Sequence, residues 1–192
     1  LTIGLPDNHV WETARLSMKN GTKPVVNIPT EEVFTLAHRE RIDGVVRSTK
    51  PLAYNGKIID NFTLQFSEGD VVSAVAERGQ DMLDTILGTD DGARSIGEVA
   101  LVPHSSPISQ SDLLFFNTLY DENASNHLAL GRAYRFTMEN GAEMSDEDFA
   151  EAGGNNSLVH VDFMMGSGDM DIDGIHSDGS REPIFRNGEW AF

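Results

Sequence analysis

A histidine and an aspartate stand two residues apart in Leu158-Val159-His160-Val161-Asp162-Phe163, inside a run that otherwise reads as a buried strand. Side chains alternate faces along a strand with a period of two. His160 and Asp162 therefore point one way while Val159, Val161 and Phe163 point the other. One face can pack and the other can hold a metal. A His and an Asp at this spacing also serve as a structural hydrogen-bonded pair, so their company matters. Upstream lie Pro29-Thr30-Glu31-Glu32-Val33-Phe34-Thr35, Gly97-Glu98-Val99-Ala100-Leu101-Val102 and Asp121-Glu122-Asn123-Ala124-Ser125-Asn126-His127-Leu128-Ala129-Leu130-Gly131, each setting a Glu or His among apolar or turn residues. Three carboxylates and two imidazoles brought together would offer a metal oxygen and nitrogen donors. The chain has no cysteine, so thiolate sites, disulfides and cysteine nucleophiles are ruled out.

The elements that must position these groups read mainly as strands. Residues 45–46, 57–66, 71–76, 99–102, 158–165 and 184–185 are rich in branched and aromatic side chains. Residues 1–3 also look like strand. Asn55-Gly56, Glu68-Gly69-Asp70, Asp173-Gly174, Asp178-Gly179 and Asn187-Gly188 are turn signals that close hairpins. Three helices are expected: 8–20 with Asn8 as N-cap, 79–87 with Met82, Leu83, Ile86 and Leu87 on one face, and 145–152 with Ser145 capping an acidic first turn. Glu122, His127 and Tyr134 fall in one ambiguous segment, read as strand; on a strand, His127 and Tyr134 would diverge. The fold class is therefore α+β, a predominantly antiparallel or mixed sheet with a few flanking helices. A chain of 192 residues with 39% hydrophobic content suffices for one well-buried core, so a single domain over 1–192 is expected. Leu1 is not an initiator methionine, which suggests that the sequence begins inside a longer protein.

Charge narrows the partners. With 31 acidic against 14 basic residues and a formal net charge of -17, the chain is a poor match for nucleic acid, whose phosphates require clustered Lys and Arg. A negative field favours the approach of a free α-ammonium group, although most of these acids read as solvated surface. No stretch approaches the roughly 18 apolar residues of a membrane span, and no signal peptide pattern is present. Cytoplasm is the default location. Asp169-Met170-Asp171-Ile172-Asp173-Gly174 imitates half a calcium loop, but Ser180 stands where the closing Glu belongs. Asn61-Phe62-Thr63, Asn123-Ala124-Ser125 and Asn155-Asn156-Ser157 are chance matches to the glycosylation tripeptide. His9, His38, His104 and His176 lack a carboxylate partner in a strand-like setting and read as surface or loop residues.

Four motifs in order, Asn27-Ile28-Pro29-Thr30-Glu31-Glu32-Val33-Phe34-Thr35, Ile96-Gly97-Glu98-Val99-Ala100-Leu101-Val102, Asn117-Thr118-Leu119-Tyr120-Asp121-Glu122-Asn123-Ala124 and His160-Val161-Asp162-Phe163-Met164, resemble the aminopeptidase T / aminopeptidase S family of dinuclear metallo-aminopeptidases. The closing Pro183-Ile184-Phe185-Arg186-Asn187-Gly188-Glu189-Trp190 extends the match, which runs from about residue 24 to the C-terminus. The resemblance implies metal ligands at Glu32, Glu98, His127, His160 and Asp162, a catalytic carboxylate at Glu122, and a phenol at Tyr134 near the reacting carbonyl. It further implies two divalent ions (zinc, cobalt or manganese), a homodimer, and peptide substrates with a free N-terminus. In that family the metal-bearing domain follows a larger N-terminal α/β domain, and this chain is similar to the metal-bearing part alone.

These roles suit hydrolysis. Glu32, Glu98 and Asp162 would supply three negative charges against the four positive charges of two divalent ions, leaving one for a bridging hydroxide, and Glu98 is the expected bridge. Metal coordination lowers the pKa of water from 15.7 to about 7. Glu122 would shuttle the proton from water to the departing amine, and Tyr134 would donate to the developing oxyanion. The alternative is an isolated structural or dimerisation domain whose metal site is empty or incomplete. A dinuclear phosphoesterase would need a basic cluster, and only Arg132 and Arg135 stand nearby.

Overall fold

The computed structural model describes residues 1–15, 17–18 and 20–192. In chain order it carries β1 (Thr2–Ile3), β2 (Val33–Thr35), β3 (Ile42–Arg47), β4 (Leu52–Tyr54), β5 (Lys57–Ser67) and β6 (Asp70–Arg78). Then follow α1 (Gln80–Leu87), β7 (Ile96–Leu101), α2 (Pro107–Gln110), α3 (Thr118–Asp121), β8 (His127–Gly131), α4 (Asp146–Glu151), β9 (His160–Met164), β10 (Ile172–Ile175), β11 (Arg181–Arg186) and β12 (Glu189–Trp190). Every strand pairing among the described residues is antiparallel. The expected α+β architecture, mostly sheet with short helices, is what the chain forms.

Two sheets matter for the site. One orders its strands β1-β3-β5-β4 with β6 on β5, and the other runs β2-β7-β8-β9. Their facing sides share one core: Ile42, Val46, Ile59, Phe62 and Leu64 from the first meet Ile96, Leu128, Leu130, Val161 and Phe163 from the second. Phe62 and Phe163 pack edge to face across it at 5.4 Å. Helix α1 contributes Leu83, Ile86 and Leu87 to the same core, as its apolar stripe requires. Ser145 caps α4 through the Asp148 N–H, as read from the sequence. The second sheet's other face is free to carry chemistry.

Several expectations need correction. Residues 8–15 form no helix. They are an extended segment with isolated bridges His9↔Met138, Glu12↔Phe34 and Arg15↔Val25, while Leu16 and Lys19 lie outside the described residues. The edge strand β2 has backbone groups to satisfy, and the Glu12 and Phe34 N–H and C=O groups exchange hydrogen bonds at 2.9 Å. Asp173-Gly174 lies inside β10 rather than at a turn, with Asp173 opposite Pro183 and Gly174 opposite Glu182; the Asp173 carboxylate pairs with Arg186. The other four turn signals close hairpins as expected. No helix among the described residues is long and apolar enough to cross a membrane.

Candidate metal centre

The free face of the β2-β7-β8-β9 sheet is laid out by register. Ala129 of β8 stands opposite Glu98 of β7 on one side and Asp162 of β9 on the other, while His127 stands opposite Ala100. His160 pairs with Gly131. Small residues at Ala100, Ala129 and Gly131 leave room above the sheet, and the longer acids and imidazoles lean into it. Glu32 immediately precedes β2 and shares a face with Phe34 two residues on, so its carboxylate reaches the same space.

Period two alone would not have delivered Glu98. Strict alternation puts Ile96 and Glu98 on one face, yet Ile96 lies in the core. The ladder slips between Ile96 and Glu98, leaving Gly97 as the extra residue of a β-bulge. Bulges re-aim side chains in this way, and here the phase change sends Ile96 inward and Glu98 to the site.

The convergence is close. His127 Nε2 lies 2.9 Å from Glu32 Oε2 and 3.8 Å from Glu98 Oε1. His160 Nε2 lies 3.8 Å from Glu98 Oε2 and 3.4 Å from Asp162 Oδ1. The two oxygens of Glu98 thus face different imidazoles. Donor atoms of Glu32, Glu98 and His127 fall within 4.8 Å of one another, as do those of Glu98, His160 and Asp162, and those of Glu122, His127 and Asp162. All seven residues singled out from the sequence come together except that Tyr134 joins by its ring, which rests on that of His160 at 4.6 Å. The expected divergence of Tyr134 from His127 does not occur, because strand β8 ends at Gly131 and the chain turns back to the site.

Both imidazoles are oriented by backbone. His127 Nδ1 donates to Ser125 O at 3.0 Å and His160 Nδ1 donates to Arg132 O at 2.7 Å, since a carbonyl can only accept. Each Nε2 is thereby aimed at the carboxylates, the arrangement typical of metal-binding histidines. Among the described residues Glu32 Oε2, His127 Nε2 and Asp162 Oδ1 are buried without an assigned hydrogen-bond partner, although the first two approach to 2.9 Å. Buried polar atoms are rarely left so; Glu32 and His127 share one donor group and His127 and Asp162 another, and cations there would satisfy them. The donor set, carboxylates and imidazoles without thiolate, fits a borderline divalent ion.

Electrostatics point the same way. Burial, reinforced by the Asp162 charge, pushes Glu98 up to about 8 and Glu122 up to about 9. Burial works against charge on His127 and His160, but Glu32 and Asp162 respectively, each with its neighbouring acids, overcome it and raise them to about 10 and about 9. Asp162 itself is held low, His160 outweighing its burial. The cluster demands positive charge. Above it opens a cavity of about 420 Å³ whose walls include Ala14, Val26, Phe34, Leu119, Tyr134 and Phe136. Tyr134 stacks on Phe136 at 5.3 Å, and both meet Phe34 edge-on. Phe34 and Phe136 were not singled out from the sequence, where an aromatic residue near a site looks like any core residue.

A family model described as "Thermophilic metalloprotease (M29)" matches residues 1–190. The chain is 58% identical over 192 residues to "Aminopeptidase AmpS" of Bacillus subtilis (strain 168), covering all of this chain and 47% of that protein. It is 47% identical over 191 residues to "Aminopeptidase T" of Thermus thermophilus, 46% of which is covered. A solved structure, "Wild-type AmpT from Thermus thermophilus", superposes on 99% of this chain and 47% of its own with a TM-score of 0.94 at 47% identity. The chain spans about half the length of the curated relatives it matches.

Proposed function

The chain belongs to the M29 family of thermophilic metalloproteases, and from that premise we propose that it is the metal-bearing domain of an aminopeptidase that removes N-terminal residues from peptides with two divalent ions. The observation that carries this reading is the convergence of Glu32, Glu98, His127, His160 and Asp162 with three buried donor atoms unpartnered. Glu32, Glu98 and His127 would hold one ion and Glu98, His160 and Asp162 the other, with Glu98 common to both. The ions, zinc, cobalt or manganese, would supply Lewis acidity that activates water and polarises the scissile carbonyl.

The residues around them have separate tasks. Glu122 lines the cavity with its carboxyl unpaired by any hydrogen bond among the described residues, and its raised affinity for a proton suits a group that takes one from water and passes it to the leaving amine. Burial and the surrounding acids push Tyr134 up to about 12, so its phenol keeps its proton at neutral pH and can donate to an oxyanion. The acids of the cavity would attract the substrate's α-ammonium group. Among the described residues no Lys or Arg lines the cavity, which disfavours a phosphate ester.

Elemental analysis of the purified protein, paired with hydrolysis of leucyl anilide, its N-acetylated form and phenyl phosphate, tests the proposal. Two equivalents of metal and cleavage of the free-amine anilide alone are expected. Cleavage of the acetylated compound at the same rate defeats the exopeptidase assignment, and cleavage of phenyl phosphate instead defeats the peptidase one. A second reading draws on the half-length match and on the exposed apolar rim of Val26, Ile28, Leu119 and Phe136: a structural or dimerisation domain with an incomplete cleft. It would reveal itself as a metal-poor, inactive dimer.

A further inference from the structure

Residues 27–31 carry no helix or strand, yet Glu32 must reach His127 to within 2.9 Å. Strand β2 fixes the chain only from Val33 onwards. On the other side of Glu32 there is one tether: the Glu31 N–H donates to Asn123 Oδ1 at 2.7 Å, across 92 residues of sequence. Among the described residues this is the one hydrogen bond to any atom of residues 27–31. Asn123 is fully buried, and its remaining groups are also committed. Its Nδ2 donates to Leu119 O at 3.1 Å, and its own carbonyl accepts from Ser106 Oγ at 3.0 Å. It stands next to Glu122 on the short 3-10 turn Glu122–Ala124.

We infer that Asn123 is a positioning residue whose side-chain amide locks the Glu32 loop to the turn that carries Glu122, so that a metal ligand and the proton carrier are placed by one group. This rests on the metal-site reading above. A carbonyl oxygen is needed at one end of the amide and an N–H at the other, which is why asparagine fits. Aspartate keeps the acceptor for Glu31, and buried beside Glu122 it would hold a proton that it can still donate to Leu119 O. Alanine loses both. Partners of this outer kind typically change metal affinity by ~10- to 100-fold.

The test measures Zn2+ affinity by chelator competition, with far-UV circular dichroism as the check on folding. Asn123→Ala should weaken one of two Zn2+ equivalents by ~10- to 100-fold, and Asn123→Asp should stay within about threefold of the parent. A double-mutant cycle separates positioning from general damage. In a Glu32→Gln background Asn123→Ala should cost nothing further, whereas in an Asp162→Asn background it should cost its full factor. Equal losses in both backgrounds, or no loss in the parent, overturn the inference. Where Asn123→Ala does not fold, Asn123→Asp decides alone: a loss of tenfold or more overturns it. A parent protein that takes up no Zn2+ refutes the metal-site reading instead.

Discussion

Gly97 offers the sharpest test of how the fold aims its candidate ligands. A methyl group added there would stand 2.3 Å from Gly131 O, 2.4 Å from Arg132 O and 2.5 Å from Arg132 C, all of them backbone atoms. Real contacts of this kind stay above 3.0 Å, so the bulge and the turn after β8 would have to part by at least about 0.7 Å. The displaced atoms are not neutral bystanders. Arg132 O accepts from His160 Nδ1, and Gly131 O accepts from Asn155 Nδ2 at 2.6 Å. Gly97→Ala therefore pushes on Glu98 and on the carbonyl that orients His160 at once. Misplacement of about 1 Å at a reacting centre costs on the order of 10²-fold in rate, and overpacking costs about 1–3 kcal/mol of stability.

The assay is metal content and leucyl-anilide turnover of Gly97→Ala beside a control, Gly174→Ala, whose added methyl would meet the Ile184 side chain at an ordinary 3.4 Å. The expected result is a loss of turnover of roughly 10- to 100-fold, with a fall in melting temperature of roughly 2–12 °C at 2–4 °C per kcal/mol. The control should be near neutral. Gly97→Ala with full metal content and parental turnover would refute the account of the bulge as the device that aims Glu98.

Three further outcomes are expected. Glu122→Gln should retain both metals and lose ~10²- to 10⁴-fold in turnover; near-full activity would remove Glu122 from the reaction. Chelator-stripped protein should bind divalent ions more tightly as pH rises from 6 towards 9, because Glu98, His160 and His127 hold protons up to about 8, 9 and 10 and must release them to coordinate. Calorimetry in buffers of different ionisation enthalpy should show net proton release on uptake, and none would contradict the assignment. For Asp90, burial works to raise the pKa, but hydrogen bonds from the Leu158 N–H, Ser157 Oγ and the Ala93 N–H outweigh it and lower it. With a depressed folded-state pKa, its contribution is present above the ordinary carboxylate range and lost as pH falls through the folded value. Acid unfolding of Asp90→Asn should therefore depend less steeply on pH below about 4 than that of the parent, and an unchanged acid limb would refute it.

What could be read from the sequence was whatever is local. Alternation placed His160 and Asp162 opposite Val161 and Phe163, and β9 is built that way, with the two apolar residues in the core. Hairpin turns announced themselves through Asn-Gly pairs because left-handed backbone at Asn55 and Asn187 suits few other residues. Helices 80–87 and 146–151 carried their own stripe and cap. Features decided by distant contacts were not legible. The segment 8–15 had helical punctuation, yet its backbone answers to the open edge of β2, which no local pattern reveals. The Ile96/Glu98 bulge depends on Gly97 lying under carbonyls 34 and 35 residues away.

The candidate ligands sat between these cases. Each lies in an unremarkable local context, and only the resemblance of the four motifs to a known family joined Glu32 to His127 before their 2.9 Å approach was seen. The physical reason is that a cluster of such donors is assembled by register. Glu98, Ala129 and Asp162 face one another because β7, β8 and β9 pair where they do, and a slip of one residue would turn His127 and Asp162 into the core. The apolar residues between them, Leu128, Val161 and Phe163, oppose that slip by burying their side chains among those of the other sheet. The packing on one face therefore holds the chemistry on the other. A core substitution such as Phe163→Ala, which costs about 3–5 kcal/mol where such a ring is fully buried, should weaken metal retention even though no atom of Phe163 is a donor. Metal retention unaltered in the folded variant would show that the site is held by its own ligands instead.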